Sequence, residues 1–216
     1  MMKKINFKIL IITTLVCLLP IFSGLYYYDS LPDQMAIHFN LEGEADGYAS
    51  KAFFAIGLPI CMAVLQVIVC LTSDLCDNEK EANKKTISVL KWFIPILTFI
   101  LFTTTINYSI NGKFDVSKIA LILVGLIFVV TGNYVPKTKG SYVIHVPRTQ
   151  NEKLNKKVAR IIGCIFIILG ILFVVAAFFE SIRIISLIAI LISIVLIVII
   201  TIRCIIEDVR LKNNKE

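Results

Sequence analysis

Six stretches without a charged residue constrain this chain more than anything else in it. They run from Ile9 to Tyr28, Ala52 to Ser73, Trp92 to Gly112, Ile119 to Pro136, Ile161 to Phe179 and Ile184 to Ile202. At about 1.5 Å per residue, each is long enough as a helix to cross roughly 30 Å of hydrocarbon. Together they take 119 of the 216 residues, which leaves two tails and five loops, none longer than 24 residues. A chain that is 57% hydrophobic and 17% charged could not hide so much apolar surface in a water-soluble core. The expected fold is all-α: a polytopic membrane protein with six transmembrane helices, the lipid bilayer as its first partner and no separate soluble domain.

The placement of charge predicts the orientation. With the N-terminus in the cytoplasm, 18 of the 22 Lys and Arg residues fall on the cytoplasmic side, and only Lys51, Lys113, Lys118 and Arg183 fall outside. That asymmetry predicts an N-in, C-in topology. It also accounts for the net charge of +7 without invoking a nucleic acid partner. The chain then divides into an N-terminal half, residues 1–112, with an acidic outer loop over 29–51, and a C-terminal half, residues 113–216, with a basic cytoplasmic loop over 137–160.

Lys3 and Lys4 before an apolar run also describe a secretory signal. Ser23 pairs with Ile21 and Gly24 with Phe22, so the small-x-small cleavage pattern is missing and the first helix is expected to be retained. Tyr26, Tyr27 and Tyr28 suit the headgroup boundary at its outer end. Of six cysteines, Cys17, Cys61, Cys70 and Cys164 lie in spans, and Cys76 and Cys204 lie at the cytoplasmic side. They read as small packing side chains, with neither a disulfide framework nor a zinc site.

The outer loop, DSLPDQMAIHFNLEGEADGYASK, gathers Asp29, Asp33, Glu42, Glu44 and Asp46 on one side of the membrane. Leu31-Pro32-Asp33 reads as a turn and Met35 to Asn40 as a short strand. Glu42 to Gly47 imitates the start of a calcium loop, but position 12 is Phe53, where a bidentate Glu is needed; a glycine-bounded acidic turn fits better. His38 either joins Glu42, Glu44 or Asp46 on a cation or hydrogen-bonds within a compact loop, and the missing second nitrogen or sulfur ligand favours the latter.

On the cytoplasmic side, residues 137–160 hold seven basic residues and one acidic residue, suited to anionic headgroups or an acidic partner. Thr149 and Glu152 have capping-box spacing, and Leu154, Val158 and Ile161 continue a helical period into the fifth span, which predicts a short interfacial helix there. Within spans, Gln66 and Asn107 are expected to hydrogen-bond between helices or, in a transporter, to line a polar path. Glu180 and Arg183 read as a boundary pair in reach of water. No nucleotide-binding, metalloprotease or nucleophile-elbow motif is present, which argues against an enzyme and gives no reason to expect a cofactor.

Two segments resemble a known family. LPDQMAIHFN from Leu31 to Asn40, with Gly43, Asp46, Gly47, Ser50 and Lys51, resembles the LPD…HFN…DG…SK stretch of a bacterial membrane domain without an assigned function. Gly132, Asn133, Tyr134, Pro136, Lys137 and Lys139 resemble the GNYxPKxK signature of the SdpI family. The two occur in the order and on the sides found in SdpI-type immunity proteins. The resemblance implies a cell-membrane protein giving resistance to a secreted sporulation-delaying-type peptide toxin, and also a receptor that holds a cytoplasmic repressor at the membrane. On that reading Asp33, His38, Asn40, Glu42, Glu44 and Asp46 form the toxin-facing surface. The chain departs from the family after Lys139, where Ile144 to Gln150 replaces the usual RTPWTL segment. A small transporter or exporter is the competing reading.

Overall fold

A computed structural model of the chain describes residues 5–40, 42–76, 87–112, 115–137 and 151–213. Its elements are α1 (Phe7–Leu18), α2 (Pro20–Tyr26), β1 (Gln34–Phe39), β2 (Ala45–Ser50), α3 (Leu58–Cys76), α4 (Phe93–Asn111), α5 (Val116–Tyr134), α6 (Glu152–Ala176) and α7 (Glu180–Asn213). Six helical stretches among the described residues are long and apolar enough to cross a membrane. They are Phe7–Tyr26, Phe53–Leu75, Ile87–Asn111, Val116–Lys137, Glu152–Ala176 and Glu180–Arg210. The expected all-α, six-span membrane fold with a small strand element is present. Long runs of Ile, Leu and Val stay exposed on α7, as helices solvated by lipid require.

The local signals act where the chain chemistry puts them. The first span is broken at Leu19, because Pro20 has no N–H to continue the ladder and instead starts α2 at its first position. Asn6 caps α1 by accepting from Ile9 N at 3.2 Å, and Gly112 closes α4 in the left-handed region at φ 63°. Asp115 Oδ1 accepts from Lys118 N at 2.8 Å at the start of α5. One expectation shifts. The cap of α6 is Asn151, whose side chain accepts from Lys153 N and Leu154 N, so Glu152 is the first helical residue, while Thr149 lies outside the described residues. The interfacial segment is continuous with the fifth span in a single 25-residue helix.

The described residues form two compact units, one drawn from Met1–Asn78 and Ile87–Leu123, the other from Val124–Glu216. In the first, Leu31 and Met35 pack with Phe54, Phe102 and Ile106, and the rings of Phe54 and Phe102 stack at 4.5 Å. The hairpin thereby seats one face on the helices. In the second, Val135, Val158, Ala159, Ile162 and Cys204 form the core near the end of α5.

That second unit also contains a close helix crossing that the apolar pattern does not announce. A Cβ on Gly163 would lie 2.6 Å from the Gly132 carbonyl oxygen, and one on Gly170 would lie 2.5 Å from that of Gly125. The glycines are seven apart on both antiparallel helices, so α5 and α6 touch backbone to backbone at two successive levels. This is the packing small residues permit where lipid removes the usual hydrophobic drive.

Arg183 differs from expectation. Only 4% of it is exposed, whereas Glu180 is exposed, so the two are not an equally hydrated boundary pair.

Candidate functional site

The hairpin carries a cluster of charged residues in the first unit. β1 and β2 pair antiparallel with Gln34 opposite Ser50, Ala36 opposite Tyr48, His38 opposite Gly47 and Phe39 opposite Ala45. The register slips on either side of His38, leaving Ile37 and Asp46 out of the pairing. Expectation put a strand over Met35–Asn40 and an acidic turn over Glu42–Gly47. The strand is found, but Asp46 and Gly47 belong to a second strand and the turn is shorter. It is organised by Asn40, whose N–H donates to Glu44 O, whose carbonyl accepts from Gly43 N, and whose side-chain oxygen accepts from Glu44 N at 2.8 Å. Gly43 supplies the φ of 88° that the turn needs. Ser117 Oγ donates to Asn40 O at 3.2 Å and ties the turn to the first turns of α5.

Four of the six expected surface residues are engaged within the hairpin. Asp33 Oδ1 meets Lys51 Nζ at 2.9 Å and closes the open end of the ladder. The Lys51 amine sits above its ordinary pKa chiefly because of that hydrogen bond, and it also lies 5.3 Å over the Tyr28 ring. His38 Nδ1 lies 2.5 Å from Asp46 Oδ1, and Gly47 gives room for it, since a Cβ there would fall 2.8 Å from His38 Cβ. Asn40 holds the turn. Glu42 and Glu44 are exposed, with no ion pair to either among the described residues. His38 thus has one carboxylate partner, and no group of three His, Cys, Asp or Glu residues suited to a metal ion occurs among the described residues.

Beside the hairpin is an apolar cleft of about 370 Å³, walled by β1 from Ala36 to Phe39 and by residues of α3, α4 and α5 that include Met62, Leu101 and Ala120. Its three hydroxyl protons are already committed within the protein. Thr98 and Thr105 donate to the carbonyls of Ile94 and Leu101 in their own helix, and Ser117 donates to Asn40.

The GNYVPK signature is a helix terminus that holds itself together. Gly132 faces Gly163, and Pro136 also abuts Gly163. Lys137 Nζ donates to Asn133 Oδ1 at 2.9 Å and lies 5.4 Å over the Tyr134 ring. Lys139 lies outside the described residues.

A polar network that the sequence reading does not predict joins the first three spans of the first unit. Lys91 Nζ donates to Asp74 Oδ1 at 2.6 Å, with the lysine side chain 2% exposed and the aspartate 13%. Asp74 Oδ2 also accepts from Asn6 N at 3.0 Å. Gln66, fully buried, donates to Lys91 O and to Thr13 Oγ1, each at 2.8 Å, which joins three spans as expected of an intramembrane amide. Asn107 behaves otherwise: its amide donates to Thr103 O in its own helix and its side chain is exposed. Asp74 and Lys91 each lie one residue beyond the facing ends of the second and third uncharged runs. That complementarity at the ends of two sequential helices was the available signal.

The chain matches no curated protein and no solved structure. Residues 15–63 match the model of a domain of unknown function (DUF1648), a match that takes in the break at Pro20, the entire hairpin and the opening turns of α3.

Proposed function

We propose that this chain is an SdpI-type immunity protein of the bacterial cell membrane, which protects its host from a secreted, cationic peptide toxin by binding and not by catalysis. The observation that carries this reading is the hairpin. It is seated on the helices by Met35 and closed by the Asp33–Lys51 pair, and it leaves Glu42 and Glu44 exposed at its turn. Exposed carboxylates gathered on one turn raise the local concentration of a cationic partner. The family resemblance of the two signatures supports the same assignment. A cytoplasmic repressor is the further partner that the resemblance implies, through the basic loop after Lys137.

Expression in a toxin-sensitive bacterium should raise the concentration of a sporulation-delaying-type toxin needed for killing. Changing Glu42, Glu44 and Asp46 to amides should reduce that protection, most at low salt, while membrane abundance stays near normal. Unchanged killing curves for the parent chain across several such toxins, with the protein detected in the membrane, would remove the immunity assignment.

The same reading needs the hairpin to face outward, with both termini in the cytoplasm. A reporter fused after Lys113 should be active only outside, and one fused after Gly140 only inside; the opposite pattern would reverse the assignment of sides.

A further inference from the structure

The cleft beside the hairpin pairs two unlike surfaces. Inside, its carbon lining comes from Phe54, Met62, Leu101 and Phe102, and its three hydroxyls already donate to protein carbonyls. A polar ligand group entering it would lose water and find few partners, so the cleft selects for hydrocarbon or an aromatic ring. Its volume of about 370 Å³ falls within the range of about 300–1,000 Å³ typical of ligand sites. Outside, charge accumulates beside one of its walls. Ser117, which lines the cleft, is bonded to Asn40 at the base of the turn. That turn carries Glu42 and Glu44, and a Cβ on Gly43 would lie 3.3 Å from Asp115 Oδ1. His38, also in the lining, holds Asp46 beside it.

We propose that this cleft is the receptor for the apolar part of a cationic amphipathic peptide, whose basic side chains are held by Glu42 and Glu44 at the turn. The assignment rests on the immunity reading and locates its recognition step. An acyl chain fits the lining but not the setting, because a hydrocarbon tail gains nothing from carboxylates next to its entrance. A peptide with an apolar residue a few positions from lysine or arginine satisfies both. The acidic turn then sets the rate of encounter, and burial in the cleft sets the residence time.

Two substitutions fill the cleft from different walls, Ala36→Phe on β1 and Ala120→Phe on α5, while Leu101→Ala widens it. They are tested in sensitive cells with a toxin against which the unaltered chain protects, and membrane abundance is measured in parallel. Each filled variant present at parental abundance should lower the toxin concentration for half-maximal killing by roughly tenfold, the loss expected when one well-buried anchor is excluded. Leu101→Ala should lose protection less steeply, since the anchor still enters a looser site. Glu42→Gln with Glu44→Gln should lose protection in low salt and regain part of the difference from the parent in high salt. A filled variant that is fully present and fully protective overturns the cleft assignment and leaves the immunity reading standing, as would be found if the cleft held only lipid. Should neither filled variant accumulate, Leu101→Ala decides, and undiminished protection by it overturns the proposal. If the unaltered chain protects against no such toxin, the immunity reading itself fails, and the proposal falls with it.

Discussion

Changing Lys91 alone to Met is expected to cost the protein about 3–5 kcal/mol, whereas changing Lys91 to Met together with Asp74 to Leu should recover most of that loss. The reason is the burial of the pair. With the lysine 2% exposed and the aspartate 13%, neither charge is solvated well enough to stand alone, and Asp74 has only the Asn6 backbone amide as its other described partner. Removing the ammonium group strands a carboxylate in a medium that solvates it poorly; removing both leaves hydrocarbon in contact with hydrocarbon. The backbone carbonyl of Lys91 keeps its bond from Gln66 in either variant, so the comparison isolates the charges. For a chain of this size the single variant should melt roughly 10 °C lower in detergent, with the double variant close to the parent. Equal losses in the two variants would mean that the ion pair itself, and not the stranded charge, supplies the stability.

Gly163→Leu should also be strongly destabilising, by a different route. Its Cβ would meet the carbonyl oxygen of Gly132 at 2.6 Å and Pro136 at about 3 Å, and because the first obstacle is backbone, no rotamer of the new side chain removes the clash. α5 and α6 must move apart, forfeiting contact at the Gly125–Gly170 level as well. Overpacking of this kind costs about 1–3 kcal/mol even where side chains can shift, so loss of the protein from the membrane fraction is the expected result. Gly163→Ala should be intermediate. Ile168→Ala, at an exposed position on the same helix, should accumulate normally. If Gly163→Leu accumulates and melts like the parent, the two helices do not meet at these glycines.

The uncharged runs made the six helices readable, because a span of hydrocarbon demands about twenty apolar residues whatever the helix later packs against. Side-chain pairing was less readable. The loop between Asp29 and Lys51 showed five acidic residues, which suggested a uniformly acidic surface. Folding into a hairpin sorts them: Asp33 goes to Lys51 and Asp46 to His38, and this cross-strand sorting depends on a register set partly by the slips around His38. β2 was missed because ADGYAS carries glycine and aspartate, which read locally as turn residues and enter a strand here only because β1 is beside them. In the sequence Lys91 reads as one of the 18 cytoplasmic cations, and a count of charges does not show Asp74 opposite it. Gly132 and Pro136 were visible as part of a signature, and the physical reason, contact with Gly163 on the next helix, became clear only in three dimensions.

The length of α7 has a mechanical consequence. Its uncharged section, Ile184 to Ile202, already spans about 28 Å, enough for the hydrocarbon core, yet the helix runs on without interruption from Arg203 to Asn213 for about 16 Å more. Tilting cannot absorb this excess, since Arg203, Glu207, Asp208 and Arg210 would have to be drawn into lipid. The last three turns therefore extend α7 beyond the length that hydrocarbon needs, anchored at their start by Cys204 among Val135, Val158 and Ile162. Because the helix is unbroken, its apolar section and its charged end can turn or shift only as one body.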